Sequence, residues 1–233
     1  VVRDLVERDG AWRIGRAAPG PIDDGRMSAV SVDGASIGGD SFVFACGPWL
    51  GSLFPDVIGD RILPTRQEVF FFGPPAGSKE WGPERLPIWI DFGERIVYGI
   101  PDLGGHGFKL ADDTRGEAFD PTRGSRVATA EGIARARRLL AERFPALADA
   151  PVVDARVCQY ENTPDGDLIL DRHPGAKNVW IAGGGSGHGF KLAPAVGEMI
   201  ARAVVDGESL PEEFALERLA DPTRRGTQFE HRD

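Results

Sequence analysis

Residues 178–207, NVWIAGGGSGHGFKLAPAVGEMIARAVVDG, constrain the fold more than any other stretch. NVWIAGG at 178–184 predicts an apolar strand that runs into glycines. APAVGEMIARAVVDG at 193–207 predicts a helix, with Pro194 near its start and Gly207 past its end. A strand, a glycine-rich turn and a helix start gather free backbone N–H groups and the positive end of a helix dipole at one point. Lys191 adds a full charge there. Such a point suits an anion or an electron-rich ring. Close helix–sheet packing also calls for glycines, so this turn alone leaves both readings open, and it is not a GxGxxG fingerprint with a downstream acidic residue.

The turn carries the heptapeptide GHGFKLA (187–193), which also occurs at 105–111. A duplicated module carries its flanks with it. Here the flanks differ: the first copy reads YGIPDLGGHGFKLADDTRG and follows a hairpin, whereas the second opens a helix. A domain repeat is therefore rejected. The two copies share a glycine-loosened backbone, an aromatic residue and a lysine.

Around this turn the elements follow a definite order. MSAVSV at 27–32 and SFVFA at 41–45 predict strands, and CGPW at 46–49 reads as a strand-to-loop turn. EVFFF at 68–72, PIWID at 87–91 and RIVYGI at 95–100 predict further strands, the last two at hairpin spacing. TAEGIARARRLLAERF at 129–144 predicts a helix with Ile133, Ala136, Leu140 and Phe144 on one face, ended by Pro145. VVDARVCQY at 152–160 and DLIL at 167–170 return to strand. The order predicts an α/β domain interrupted by an antiparallel α+β domain.

Composition narrows the function classes. A net charge of -9 over 233 residues argues against a broad nucleic-acid surface, though not against a local cationic pocket. No apolar run reaches membrane-spanning length, no signal-peptide pattern is present, and no metal-ligating set is read. Cys46 and Cys158 do not make a disulfide framework, so a cytoplasmic setting is expected. The first residue is not Met, and VVRDLVERDG places Val2, Leu5 and Val6 at helical spacing with no cap before them. The expectation is that the chain is entered in mid-helix and lacks an N-terminal part.

Four stretches carry a family resemblance. IAGGGSGHGFKLAPAVGEMIA resembles the C-terminal signature of the flavoprotein amine oxidases of the D-amino-acid oxidase superfamily, in the monomeric sarcosine oxidase and N-methyltryptophan oxidase branch. ARVCQYENTPDGDLILDRHP, VYGIPDLGGHGFKL and FVFACGPWL resemble further blocks of that branch, in order and over nearly the whole chain. The resemblance implies a partial, Rossmann-like FAD-binding domain at 1–60 and 152–220. It implies a substrate-binding domain at 61–151, with 221–233 as a C-terminal tail. The branch's dinucleotide-binding βαβ unit would lie before residue 1.

The resemblance also implies site residues. Cys158 would attach FAD covalently through a thioether at the 8-methyl group, although a buried structural cysteine is the ordinary fate of such a residue; Cys46 reads as core. Gly185, Ser186, Gly187, His188, Gly189, Phe190 and Lys191 would line the flavin, as would Gly47 and Trp49. Lys191 would pair with a substrate carboxylate, and Lys109 would promote oxygen reduction beside the flavin. Two loops would thus deliver one lysine each, to opposite flavin faces. Tyr98 and Tyr160 would line the substrate cavity, with half-buried strand tyrosines as the alternative. His188 would sit beside flavin and substrate, with a backbone-bonding loop histidine as the alternative.

One departure is useful. The sarcosine-type enzyme has a histidine four residues after the oxygen-site lysine; here that position is Asp113. Sarcosine itself is therefore not the expected substrate. The implied reaction is oxidation of a C–N bond in a small secondary amine, an N-alkyl amino acid. Molecular oxygen would be the acceptor, giving hydrogen peroxide, and the protein would be monomeric. A flavin dehydrogenase with another acceptor, and a truncated non-catalytic partner-binding module, stay open.

Overall fold

A computed structural model describes residues 1–221. Helix α1 (Val2–Glu7) buries no side chain and stops where the Gly10 N–H bonds back to the Leu5 carbonyl. Five short strands follow: β1 (Ala17–Pro19), β2 (Ile22–Asp23), β3 (Arg26–Met27), β4 (Ala29–Val32) and β5 (Ala35–Gly38). They form a β1–β4–β5 antiparallel sheet and a β2–β3 hairpin. The strand expected at 27–32 is thus split. The Asn178 side chain explains the break, since its amide accepts from the Met27 N–H at 2.9 Å and donates to the Met27 carbonyl at 2.8 Å.

The remaining elements are β6 (Phe42–Phe44), α2 (Leu50–Leu53), β7 (Leu63–Phe72), β8 (Trp89–Phe92), β9 (Ile96–Ile100), β10 (Phe108–Asp112), α3 (Ala130–Arg143), β11 (Val152–Asn162), β12 (Ile169–Arg172), β13 (Val179–Gly183) and α4 (Ala193–Val205). β13 lies between β6, to which it is parallel, and β12, to which it is antiparallel. Val179, Trp180, Ile181 and Ala182 are all buried, which explains the unbroken apolar run in the sequence. Phe42, Phe44, Val179 and Ile181 share a core with Leu50, Phe54 and Ile58, while Ala182 and Leu170 meet Ile200 of α4. β6 and β13 are neighbours in space but far apart in sequence. The chain leaves this layer after Phe44 and returns at Ile169, and the segment between holds the antiparallel sheet. The fold is therefore mixed helix and strand with antiparallel sheets; no described helix is long and apolar enough to cross a membrane.

That second sheet has the order β11–β7–β10–β9–β8, antiparallel throughout. Helix α3 covers one face. Its N-cap Thr129 accepts from the Gly132 N–H at 2.9 Å, and Glu68 of β7 accepts from both the backbone N–H and the hydroxyl of Thr129. Ala136 and Leu140 pack on Phe70, Phe72, Phe108 and Leu110. A register shift at Val153 puts a bulge near the start of β11.

Three expectations need correction. The first GHGFKLA copy is not only a loop, because Phe108–Asp112 is a strand between β7 and β9. Phe108 and Leu110 are buried and alternate with Lys109, but the positive-φ glycines 104, 105 and 107 hide that alternation from a reader of the sequence. β11 pairs with β7 over its whole length, so residues 152–162 belong to the antiparallel sheet, and the division expected between 151 and 152 is not a break between sheets. DLIL is displaced too, since the strand runs Ile169–Arg172. Of the expected tail, residues 222–233 lie outside the described residues.

Candidate functional site

The site follows from strand register. β11 places Asp154, Arg156, Cys158 and Tyr160 on the sheet face away from α3, while Ala155 packs toward α3. β10 gives Lys109, Ala111 and, one residue past its end, Asp113 to that open face. β9 adds Tyr98, opposite Ala111. Five of these side chains form a cluster. The Lys109 ammonium lies 5.0 Å from the Tyr98 ring centroid, and the Tyr160 hydroxyl donates to Asp113 Oδ1 at 2.5 Å. Tyr98 also hydrogen-bonds to Tyr160, and Cys158 lies close enough to influence both tyrosines.

Burial sets the electrostatics. It pushes the Tyr98 phenol up to about 12, assisted by Asp113, and pushes Tyr160 up as well. It lowers Lys109, against the opposing pull of Cys158 and Asp113. It raises Asp113, although the Tyr160 hydrogen bond works the other way. Both tyrosines are therefore neutral donors at neutral pH. For the raised Asp113, the folded state binds more protons than the unfolded state as pH rises past the ordinary value of 3.8, so folding stability falls through that window. Asp113→Asn should consequently gain stability over the parent as pH rises above the ordinary carboxyl value of 3.8. Urea midpoints across that range check this, and a gain that shrinks with rising pH would contradict it.

The glycine turn after β13 closes on the same cluster. Ser186 is fully buried at φ +45; its N–H donates to the Glu161 carbonyl and its hydroxyl accepts from the Thr163 N–H. Gly187 has φ +86, and a Cβ there would stand 2.5 Å from the Tyr160 ring, so the turn lies flat against that tyrosine. His188 Nε2 is 3.1 Å from the Gly166 carbonyl, and the ring is close enough to influence Asp113.

Not every expected residue joins the cluster. Gly189, Phe190 and Lys191 lie in a 3-10 turn leading into α4. Phe190 is 96% exposed, and Lys191 is exposed with no ion pair among the described residues. Trp49 donates from Nε1 to the Thr122 hydroxyl at 2.9 Å, away from the tyrosines. Gly47, at φ +53, faces the Glu161 carboxylate. The two lysines are not both on loops: Lys109 is held by a central strand, because the sheet needs Phe108 and Leu110 inside.

Sequence reasoning passed over Glu161. Its Oε1 accepts from the Gly185 N–H at 3.2 Å, while its Oε2 is buried without a partner. Burial raises this carboxyl, opposed by the N–H groups of Gly185 and Gly184. Nothing in the strand pattern distinguished it from an ordinary strand-end glutamate.

Comparisons with known proteins bear on this geometry. The profile of a family described as FAD dependent oxidoreductase (DAO) matches residues 2–203. Monomeric sarcosine oxidase of Bacillus sp. strain B-0618 is 31% identical over 89% of this chain and 54% of its own length. Human peroxisomal sarcosine oxidase is 30% identical over 77% of this chain and 47% of its own. The crystal structure of fructosyl amine:oxygen oxidoreductase (Amadoriase I) from Aspergillus fumigatus superposes with a TM-score of 0.69 at 25% identity, covering 89% of this chain and 51% of that one. The chain thus spans about half the length of the curated relatives it matches.

Proposed function

The chain belongs to the FAD dependent oxidoreductase (DAO) family, and from that premise we propose that it oxidises the C–N bond of a small secondary amine, an N-alkyl amino acid, using FAD and molecular oxygen. The observation that carries this reading is the open sheet face, where a thiol, two neutral tyrosines, a half-buried lysine and a carboxylate converge under a glycine turn. The free thiol of Cys158, on the same sheet face as Tyr160, Lys109 and Tyr98, is the chemistry that fits a covalently held electron-poor ring. Cys158 would anchor the flavin and the Gly185–Gly187 turn would lie along it. When bound, the flavin supplies the two-electron chemistry, taking electrons from the amine and yielding them to oxygen.

The residues of this chain supply orientation and charge. Lys109 offers a fixed cation where oxygen gains negative charge. Tyr98 and Tyr160 present rings that would hold the amine and exclude water, their hydroxyls being tied to each other and to Asp113. Asp113, tied to Tyr160, puts an acceptor beside the substrate and disfavours a second carboxylate there. Lys191 would give the substrate carboxylate a charged partner. Both cysteines are unpaired, in keeping with a reducing compartment. We place the protein in the cytoplasm and, like the relative named monomeric, as a monomer.

The test is expression from the complete reading frame, acid denaturation, and inspection of the pellet, beside Cys158→Ala. A yellow pellet that turns colourless in the variant, with hydrogen peroxide formed on adding N-methyl amino acids, is the expected result. Flavin in the supernatant of both proteins would remove the Cys158 linkage. Flavin in neither fraction would overturn the oxidase reading.

A further inference from the structure

Resting on the reading above that the glycine turn lies along the flavin, we propose that Arg218 is a positioning residue: its grip on the 165–167 loop fixes the His188 ring beside Asp113. The link is one carbonyl. His188 Nε2 stands 3.1 Å from the Gly166 oxygen, and with its proton on Nε2 the ring donates there. Gly187, one residue earlier, lies against the Tyr160 ring, and the Tyr160 hydroxyl donates to Asp113 Oδ1. How His188 meets the open sheet face therefore depends on where the loop puts the Gly166 carbonyl.

Arg218 holds both residues that flank Gly166. Its Nε and Nη2 donate to Asp165 Oδ2 at 2.9 Å and Oδ1 at 3.3 Å, and Nη2 also donates to the Asp167 carbonyl at 2.7 Å. The side chains of this pair are 4% and 8% exposed, so little solvent screens them. Thr163 joins the loop to the glycine turn. Its hydroxyl donates to the same Asp167 carbonyl at 2.9 Å, and its N–H donates to Ser186 Oγ at 3.2 Å. One guanidinium thus shapes the loop on which the turn and His188 rest.

The backbone that carries Arg218 is anchored without it. Leu216 and Leu219 are buried in the core that holds Phe44 and Ile181, and the Leu216 N–H donates to Asp171 Oδ2 at 2.8 Å. What the guanidinium adds is geometry. Its planar fork meets a carboxylate with two N–H groups and still reaches the Asp167 carbonyl. A buried pair loses much of its attraction to desolvation, so the chief contribution of this one is position. Lysine at 218 would keep the charge but replace the fork with a single point of contact.

The experiment uses the protein from its complete reading frame and compares Arg218→Lys, His188→Ala and the double variant. Three quantities are read: the melting temperature, the rate of flavin reduction by an N-methyl amino acid, and the tautomer of His188. The tautomer comes from ring nitrogen NMR shifts, assigned by their loss in His188→Ala. The expected result is one Nε2–H tautomer in the unmutated protein and a mixture in Arg218→Lys. Flavin reduction should slow about tenfold or more in Arg218→Lys, yet by no more than about twofold when the same change is made in His188→Ala. The fall in melting temperature should be the same in both backgrounds, which separates the fold from the placement of the ring. Equal slowing in both backgrounds would make Arg218 a brace of the fold and overturn the proposal. So would a His188 tautomer unchanged in Arg218→Lys. Asp165→Asn keeps the shape of the pair but leaves one acceptor of two, and it repeats the test should Arg218→Lys not fold. An unmutated protein without flavin would sink the flavin reading, while the NMR comparison would still decide whether Arg218 sets His188.

Discussion

Lys109→Met should leave reduction of the flavin by amine within a few-fold of the parent, while slowing re-oxidation by oxygen about 100- to 1,000-fold. The asymmetry follows from where charge develops. Oxygen becomes an anion on taking its first electron, and the Lys109 ammonium is a fixed, half-buried cation, lying 5.0 Å from the Tyr98 ring centroid. A charge so placed is screened less than one in open water. Methionine keeps the length and packing of the side chain and removes only the charge. Stopped-flow measurement of the two half-reactions separates the effects. Equal losses in both would mean that Lys109 orders the site rather than serving oxygen. Unchanged re-oxidation would favour a dehydrogenase that passes its electrons to another acceptor. Because burial lowers the Lys109 ammonium from its ordinary value of 10.5, the unmutated protein should also lose oxygen reactivity on the alkaline side earlier than an exposed lysine would allow.

Phe108→Ala should cost about 3–5 kcal/mol of stability, the range for emptying a buried aromatic site. Phe108 is fully buried, with its ring centroid 5.0 Å from that of Phe144 and 5.9 Å from that of Trp81. These rings join β10, α3 and the 73–88 connection, and the next residue is Lys109. The cavity would thus loosen the strand that holds the ammonium in place. The urea midpoint should fall sharply with little change in the slope of the transition. A loss below about 1 kcal/mol would show that α3 and the Trp81 segment close over the space left behind.

How far the chain could be read in advance differed from place to place. Helix α3 was legible because its apolar spacing and its Pro145 stop agree. The strand, glycine turn and helix at 178–205 were legible for the same reason. β10 was not, because three positive-φ glycines precede it and make an ordinary period-two strand resemble a loop. In the site, the lysines and tyrosines could be named from their motifs, but their grouping could not. That Tyr98, Lys109, Asp113, Cys158 and Tyr160 share a face depends on pairing across four strands, β11, β7, β10 and β9. Glu161 escaped notice for a different reason: what marks it is a missing partner, and absence of a hydrogen bond leaves no trace in a string of letters.

The bulge at Val153 has a consequence for which changes this chain could tolerate. Val152 packs toward α3, and strict alternation from there would turn Asp154, Arg156, Cys158 and Tyr160 inward onto α3 as well. The extra residue reverses that parity once, near the start of the strand, and everything downstream inherits the reversal. Residue count around 152–157 is therefore a strong constraint. A single insertion or deletion there exchanges the reactive side of the strand for its packing side.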